Sequence, residues 1–251
     1  PGIKADQGLT EMKVGGEMHT LGLDGLAEKL RKWYDHGFRF AKWRAAFEIA
    51  ENKPGYFAVE ENAKELASFA KECQLVGLVP VVEVDILADG DYPVEKNAEV
   101  LDRVLVNVFE KLEQRHVNLA GCLLKCSMVR SGKDAEVQAE AEQVGMATVA
   151  ILKHAVPRYM AGVLLLSGGQ APKEATKNLT EVMHNSPFPW PVTFAFSRAF
   201  EEPVLATWKG NADNVKAGQA AFVRHLAANC DALHYSKVEP RGGAMNVNQI
   251  S

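Results

Sequence analysis

A single lysine interrupts the apolar run AGCLLKCSMV at residues 120–129. Such a run is typical of a strand buried on both faces of a parallel sheet, where lysine is rarely placed. A neutral amine at Lys125 can attack a ketone and form an iminium, which accepts the electron pair of a breaking C–C bond. Apolar neighbours and a second nearby cation both favour the neutral amine. A salt-bridged or partly solvated lysine is the alternative.

Charged or polar residues also stand near the carboxyl ends of the other predicted strands. Because side chains alternate across a strand, Lys42 and Arg44 share one face of theirs, and Glu83 and Asp85 share one face of the next. Glu83 is the candidate for moving protons while the iminium forms. Each of these residues taken singly could be a solvated side chain at a strand end. The same kind of residue at the same end of several strands favours a function. The polar strand-end positions are Lys4, Lys42, Arg44, Glu83, Asp85, Lys125, Ser167 and Arg198.

The segment GVLLLSGGQ is typical of a phosphate-binding loop. Ser167, Gly168 and Gly169 offer backbone N–H groups ahead of a helix predicted to begin near Pro172. Arg198, predicted to close the following strand, would complete a phosphate clamp between the last two strands. For SGG alone, a plain turn is the alternative.

The elements that carry these residues alternate along the chain. Six segments of strand pattern, each followed by helical spacing, predict a parallel α/β fold. An open doubly wound sheet would call for a GxGxxG or P-loop motif, which is absent, whereas polar residues at many strand ends favour a (β/α)8 TIM barrel. Because six strands do not close such a barrel, residues 1–251 are predicted to form one N-terminally incomplete barrel domain holding strands three to eight. The predicted strands are 1–5, 38–44, 78–86, 120–129, 162–169 and 191–198, and the predicted helices are 24–36, 59–76, 94–115, 136–155, 172–185 and 211–232.

Composition excludes several classes of function. A net charge of −4 argues against nucleic acid as a partner. No apolar run approaches the roughly 20 residues that cross a bilayer, so no membrane role is expected. The four cysteines form no CxxC pair, which predicts reduced thiols. The seven histidines show no HxH or HExxH spacing, so neither a metal site nor a cofactor is expected.

Several motifs occur in the order found in one known family. FAKWR is identical to the family's motif, and GIKADQG, TLGLDGL, GLVPVVEVD, LLKCSMV and LSGGQ resemble its counterparts. The chain thus resembles class I (Schiff-base) fructose-1,6-bisphosphate aldolase from end to end.

The resemblance implies a glycolytic and gluconeogenic enzyme. It would reversibly cleave fructose 1,6-bisphosphate to dihydroxyacetone phosphate and glyceraldehyde 3-phosphate without metal or cofactor. The resemblance makes Lys125 the Schiff-base lysine and Glu83 the acid and base of carbinolamine dehydration, and implies a cytoplasmic homotetramer unless a transit peptide precedes Pro1. Catalysis is assigned to Lys125, Glu83, Lys42 and Asp85, and substrate binding to Lys4, Arg44, Ser167, Gly168, Gly169 and Arg198, with Arg44 at the 6-phosphate and Ser167, Gly168 and Arg198 at the 1-phosphate.

The sequence also departs from the family pattern. Asp85 is one methylene shorter than the family's glutamate, LLKCS replaces LLKPN, and Ser197 stands where a glycine lets the backbone approach phosphate. The family's strand-one aspartate and C-terminal tyrosine have no counterpart, since no tyrosine follows Tyr235. An aldolase-like protein with weakened catalysis, used for binding or scaffolding, is therefore the alternative function. A transaldolase-type lysine barrel and a zinc-dependent aldolase fit the motifs less well.

Overall fold

The computed structural model describes residues 1–13 and 15–234 of the chain. The stretch from Tyr235 onward, which bears on the C-terminal tyrosine, lies outside these residues. The predicted alternation of strands and helices is confirmed. In chain order the elements are β1 (Gly2–Lys4), β2 (Leu9–Glu11), β3 (Met18–Thr20), α1 (Leu26–Asp35), β4 (Phe40–Phe47), α2 (Tyr56–Val76), β5 (Val79–Ile86), α3 (Val94–Gln114), β6 (Leu123–Ser127), α4 (Ala141–Ala155), β7 (Gly162–Leu166), α5 (Pro172–His184), β8 (Val192–Phe194), α6 (Arg198–Trp208) and α7 (Val215–His234).

One parallel sheet organises the described residues. Its six strands run in the order β1–β4–β5–β6–β7–β8, while β2 and β3 pair separately as an antiparallel hairpin. The predicted α/β fold with a mostly parallel sheet is confirmed. The order lacks the reversal that marks the switch point of a doubly wound sheet, so the described strands do not follow that alternative. Strands β1 and β8 form the two edges of the sheet.

The central strands are buried on one face by helices and carry charge on the other. Val82 and Val84 of β5 and Leu124 of β6 are fully buried in the hydrophobic core, which also includes apolar side chains of α2 and α3. Successive side chains of a strand point to opposite faces, so Glu83 and Lys125 lie on the face away from these helices. Packing of the apolar face therefore fixes where the charged side chains point.

The strand register brings the charged residues level with one another. Glu83 is the register partner of both Arg44 on β4 and Lys125 on β6, and Lys4 on β1 is the partner of Lys42 on β4. Because the strands are parallel, their carboxyl ends share one edge of the sheet. The side chains needed for one site thus converge from four strands.

The last predicted strand ends earlier than the sequence pattern indicates. It stops at Phe194, and just after it the N–H of Ala195 donates a hydrogen bond to the carbonyl of Leu165 on β7 at 2.8 Å. Ser197 then turns the backbone, with φ −107° and ψ −91°. Arg198 is consequently the first residue of α6, and the prediction that it closes a strand is wrong.

Two helical segments also differ from the pattern. Helix α4 begins at Ala141 rather than at residue 136, because a capping box between Glu140 and Gln143 starts the helix there. Helix α6 is not predicted, since Pro203 lies inside it and proline is a sequence signal for a helix end. None of the helices in the described residues is long and apolar enough to cross a membrane.

Helices α4 and α5 pack closely at Gly145, which leads to a prediction about stability. A Cβ at this position would lie 2.7 Å from the carbonyl carbon of Glu181. Gly145→Ala should lower the free energy of unfolding by about 1–3 kcal/mol, because backbone atoms cannot move aside easily. This loss is expected although alanine is favoured over glycine by about 1 kcal/mol within helices.

Urea denaturation of the full-length protein measures the effect, with Gly121→Ala as the matched control. The Cβ of that variant would be 3.6 Å from its nearest neighbour, an ordinary contact. A Gly145→Ala protein as stable as the parent would contradict the close packing of α4 on α5.

Candidate active site

A buried carboxylate lies between two lysine amines at the carboxyl edge of the sheet. The side chain of Glu83 is 6% exposed; its Oε1 is 2.8 Å from Lys125 Nζ and its Oε2 is 2.9 Å from Lys42 Nζ. The contact with Lys42 is an ion pair without hydrogen-bond geometry, and among the described residues Oε2 accepts no hydrogen bond. Glu83 therefore has one buried oxygen that is ion-paired with Lys42 but accepts no hydrogen bond among the described residues.

The surroundings of Lys125 differ from those inferred from the apolar run. Its side chain is 18% exposed, and its nearest charged partner is the Glu83 carboxylate. The sequence predicts apolar groups and a second cation around this amine, but the structure also places a carboxylate in direct contact with it. A proton can pass between the two groups across this contact, leaving a neutral amine beside a neutral acid.

Asp6 joins the site although the sequence-based candidates do not include it. Its buried carboxylate contacts Lys4 Nζ at 2.6 Å and Lys42 Nζ at 3.4 Å. Burial alone would raise the pKa of Asp6, but the hydrogen bond from Lys4 and the charges of Lys42 and Lys4 outweigh burial and hold the pKa below its usual value. In the sequence Asp6 stands two residues after Lys4 and beyond the end of β1, so strand alternation does not place it in the site.

Asp85 holds Arg44 rather than a lysine. Its Oδ2 accepts a hydrogen bond from Arg44 Nε at 2.8 Å and lies 2.7 Å from Arg44 Nη2. The hydroxyl of Ser127 donates to Asp85 Oδ1 at 3.3 Å and accepts the N–H of Ile86 at 2.9 Å. Both carboxylate oxygens of Asp85 thus have partners, and Asp85 holds the guanidinium of Arg44 in place.

A polar cavity of about 220 Å³ opens beside this pair. The predicted binding residues Arg44, Gly168, Gly169 and Arg198 line it. Ser167 is buried next to them, and its carbonyl accepts hydrogen bonds from Gln170, but it is not one of the lining residues. The full lining is Arg44, Asp85, Leu87, Ala88, Asp89, Arg130, Lys133, Gly168, Gly169 and Arg198.

Arg130 and Lys133 were not among the sequence-based candidates. Both lie in the loop RSGKD after β6, where side-chain alternation no longer applies and no motif marks them. The one sequence signal for these two residues is their position soon after β6, the strand that carries Lys125. Together with Arg44 and Arg198 they make the cavity suitable for an anion such as phosphate.

The site thus combines two kinds of chemistry at one edge of the sheet. Its amines and buried carboxylate are suited to imine formation and proton transfer, and its guanidinium groups are suited to binding a phosphate ester. Within the described part of the chain, no group of three or more His, Cys, Asp or Glu side chains is placed to hold a metal ion.

Comparisons with known proteins agree on one family. The family model described as fructose-bisphosphate aldolase class-I matches residues 1–248. A fructose-bisphosphate aldolase of Dictyostelium discoideum is 43% identical over 250 residues, covering 97% of this chain and 70% of that protein. The cytosolic fructose-bisphosphate aldolase 4 of Arabidopsis thaliana is 43% identical over 234 residues, covering 92% of this chain and 60% of that protein.

A solved structure extends the agreement to the fold. Fructose-bisphosphate aldolase from Plasmodium falciparum, determined in complex with TRAP and a small-molecule inhibitor, superposes with a TM-score of 0.92 at 40% identity. The alignment covers 97% of this chain and 70% of that one. The chain spans 60% to 70% of the length of these three relatives. On sequence and fold together, the chain belongs to the class I fructose-bisphosphate aldolase family.

Proposed function

We propose that this chain carries the active site of a glycolytic and gluconeogenic aldolase. The full-length protein would reversibly cleave fructose 1,6-bisphosphate to dihydroxyacetone phosphate and glyceraldehyde 3-phosphate through a Schiff base on Lys125. The observation that carries the proposal is the position of Glu83, within 3 Å of both Lys125 and Lys42. Membership of the aldolase family supports the choice of substrate.

Proton transfer across the Lys125–Glu83 contact starts the proposed reaction. The ammonium gives its proton to Oε1 of Glu83, which leaves a neutral amine and a neutral carboxylic acid 2.8 Å apart. The amine attacks C2 of the ketose, and a proton moves from nitrogen to the carbonyl oxygen to give the carbinolamine. Glu83 then protonates the hydroxyl, water leaves, and the iminium forms beside a regenerated carboxylate. Lys42 stays charged on the other oxygen and balances this carboxylate.

Cleavage of the C3–C4 bond uses the same carboxylate. The iminium takes the bonding pair and becomes an enamine, while the C4 hydroxyl gives up its proton and becomes the aldehyde of glyceraldehyde 3-phosphate. The Glu83 carboxylate is the proposed acceptor, because it is buried at the site and its Oε2, ion-paired with Lys42, accepts no hydrogen bond within the described residues. Protonation of the enamine and addition of water then release dihydroxyacetone phosphate and free Lys125. In this scheme Asp85 acts by holding Arg44.

The remaining predicted residues bind phosphate in this proposal. Ser167, Gly168, Gly169 and Arg198 hold the 1-phosphate, and Arg44 binds the 6-phosphate end. Lys4 is the exception: it is proposed to add positive charge near the reacting carbons, where its amine contacts Asp6. The cationic lining of the cavity beside Asp85 supports these roles.

We further propose that the six parallel strands are strands three to eight of an eight-stranded barrel, and that residues 1–251 form one domain. Strands β1 and β8 are edges, and the strand order has no reversal. An apolar groove of about 480 Å³ between α6 and α7, near the β8 edge, is suited to packing against further parts of such a barrel. Its lining contains no charged side chain, so it is not a candidate for the chemistry; the lining is Val204, Trp208, Val215, Gly218, Gln219, Phe222 and Val223.

Cytoplasmic location and a homotetrameric state complete the proposal. The relatives include cytosolic aldolases, which supports the location.

The scaffold alternative depended on Asp85 and Ser197. Because Asp85 still reaches both Arg44 and Ser127, no specific observation favours that alternative.

The central prediction concerns the nucleophile. Borohydride added with dihydroxyacetone phosphate to the full-length protein should trap a covalent adduct on the peptide that contains Lys125, as read by mass spectrometry. Lys125→Arg should abolish both trapping and cleavage, because a guanidinium stays protonated and cannot form an imine. Lys64→Arg, on the exposed side of α2, is the matched control and should retain both. An adduct on Lys42 or Lys4, or cleavage by the Lys125→Arg protein, would show that another lysine is the nucleophile.

Asp6 gives a prediction about pH and stability. Because its folded pKa is lowered, its contribution is present above the unfolded value near 3.8 and is lost as the pH falls through the folded value. Asp6→Asn should therefore lower the free energy of unfolding by about 1–3 kcal/mol at pH 7, and this difference should shrink below pH 3.8.

Urea denaturation of the full-length protein at pH 7 and pH 3 measures both values. Asp35→Asn is the matched control on the exposed end of α1, with an expected change within about 0.5 kcal/mol. A difference for Asp6→Asn that stays constant from pH 7 to pH 3 would contradict an ionised Asp6 that stabilises the fold.

A further inference from the structure

Two of the four cations in the polar cavity lack a strong carboxylate partner. Arg44 is paired with Asp85, and Lys133 contacts Asp89 closely. Arg198 makes no ion pair or side-chain hydrogen bond with the residues that the structure describes.

Arg130 has only a weak carboxylate contact of its own. Its Nη1 is 4.0 Å from the carboxylate of Glu174, which is half exposed. The charges of Arg130 and Arg198 are therefore available to an anion that enters the cavity.

Arg130 is held where it can meet such an anion. It follows β6, five residues after Lys125, and its carbonyl accepts a hydrogen bond from Asn97 Nδ2 at 2.9 Å. Its side chain is 13% exposed, and Nη2 donates to the carbonyl of Gly168. A guanidinium has five N–H donors, so this bond leaves most of them for a ligand.

The glycine turn after β7 lies close to both guanidinium groups. Gly168 and Gly169 have φ values of +54° and +80°, which side chains rarely adopt. A Cβ on Gly169 would lie 3.7 Å from Arg198 Nη2 and 3.9 Å from Arg130 Nη2. Both guanidinium groups thus lie within 4 Å of one point above the turn.

We propose that Arg130, together with Arg198, binds the phosphate that stays with the ketone half of the substrate. This inference rests on the proposed aldolase function and adds Arg130 to the 1-phosphate site. Arg130 lies on the segment that carries Lys125, so one stretch of chain holds both the attacking amine and a ligand of the phosphate next to the attacked carbon. Two guanidinium groups match the charge of a phosphate monoester dianion and can bind its oxygens in pairs.

The experiment compares substrates that share the 1-phosphate. With the full-length protein, we expect Arg130→Gln to raise the KM for fructose 1,6-bisphosphate and for fructose 1-phosphate by similar factors of roughly 10 to 100, because a charge-assisted hydrogen bond to phosphate is lost. The concentration of dihydroxyacetone phosphate that half-saturates borohydride trapping on Lys125 should rise by the same factor, and kcat should change little.

A comparison of Arg130→Lys with Arg130→Gln distinguishes a residue that binds phosphate from one that only supports the turn after β7. Arg130→Lys keeps the positive charge, and Arg130→Gln keeps a donor for the carbonyl of Gly168. Binding of phosphate therefore predicts that the lysine variant retains more affinity than the glutamine variant. Arg158→Gln removes the same charge from an exposed position just before β7, at the amino end of the strand and away from the site. It should leave the KM values, kcat and half-saturation of trapping unchanged.

Three results would overturn the inference. These are an unchanged KM in Arg130→Gln, a glutamine variant that binds more tightly than the lysine variant, and a KM that rises for fructose 1,6-bisphosphate alone, which would place Arg130 at the 6-phosphate. If the parent protein forms no adduct on Lys125, the proposed function itself fails and the inference fails with it.

Discussion

The burial of one carboxylate between two amines is the interaction on which the rest of the site depends. Glu83 is buried at the centre of a parallel sheet, where an unpaired charge would be costly. Lys42 and Lys125 offset that cost from the two neighbouring strands. The arrangement requires β4, β5 and β6 to be parallel and in one register, with their apolar faces packed against helices. The fold therefore serves the site by fixing three side chains at one edge.

A second set of contacts supports this centre. Asp6 holds Lys42 from the side of β1, so the short edge strand takes part in positioning the site. On the other side, Ser127 and Arg44 hold the two oxygens of Asp85. Asp85 and Ser127 are both departures from the family pattern, and they contact each other at 3.3 Å. The two departures are thus linked in space, and together they keep Arg44 fixed.

Much of this arrangement could be predicted from the sequence because charged residues interrupt apolar strand runs. Alternation of side chains placed Glu83 and Asp85 on one face. The rule does not extend to loops, so Arg130 had no signal beyond its position after β6. The extent of β8 was wrong because an apolar run continued past Phe194, although the backbone turns at Ser197. The contact between Lys125 and Glu83 joins two neighbouring strands. A single sequence does not show which residues of two strands lie side by side.

If Glu83 transfers the proton that converts the carbinolamine to the iminium, the rate of iminium formation depends on its carboxyl group. The measurement mixes the full-length protein with dihydroxyacetone phosphate and follows imine formation in a single turnover. We expect Glu83→Gln to form the imine about 100- to 10,000-fold more slowly, since an amide cannot carry the proton, while the adduct still forms on Lys125. An unchanged rate of imine formation in Glu83→Gln would show that Glu83 does not transfer this proton.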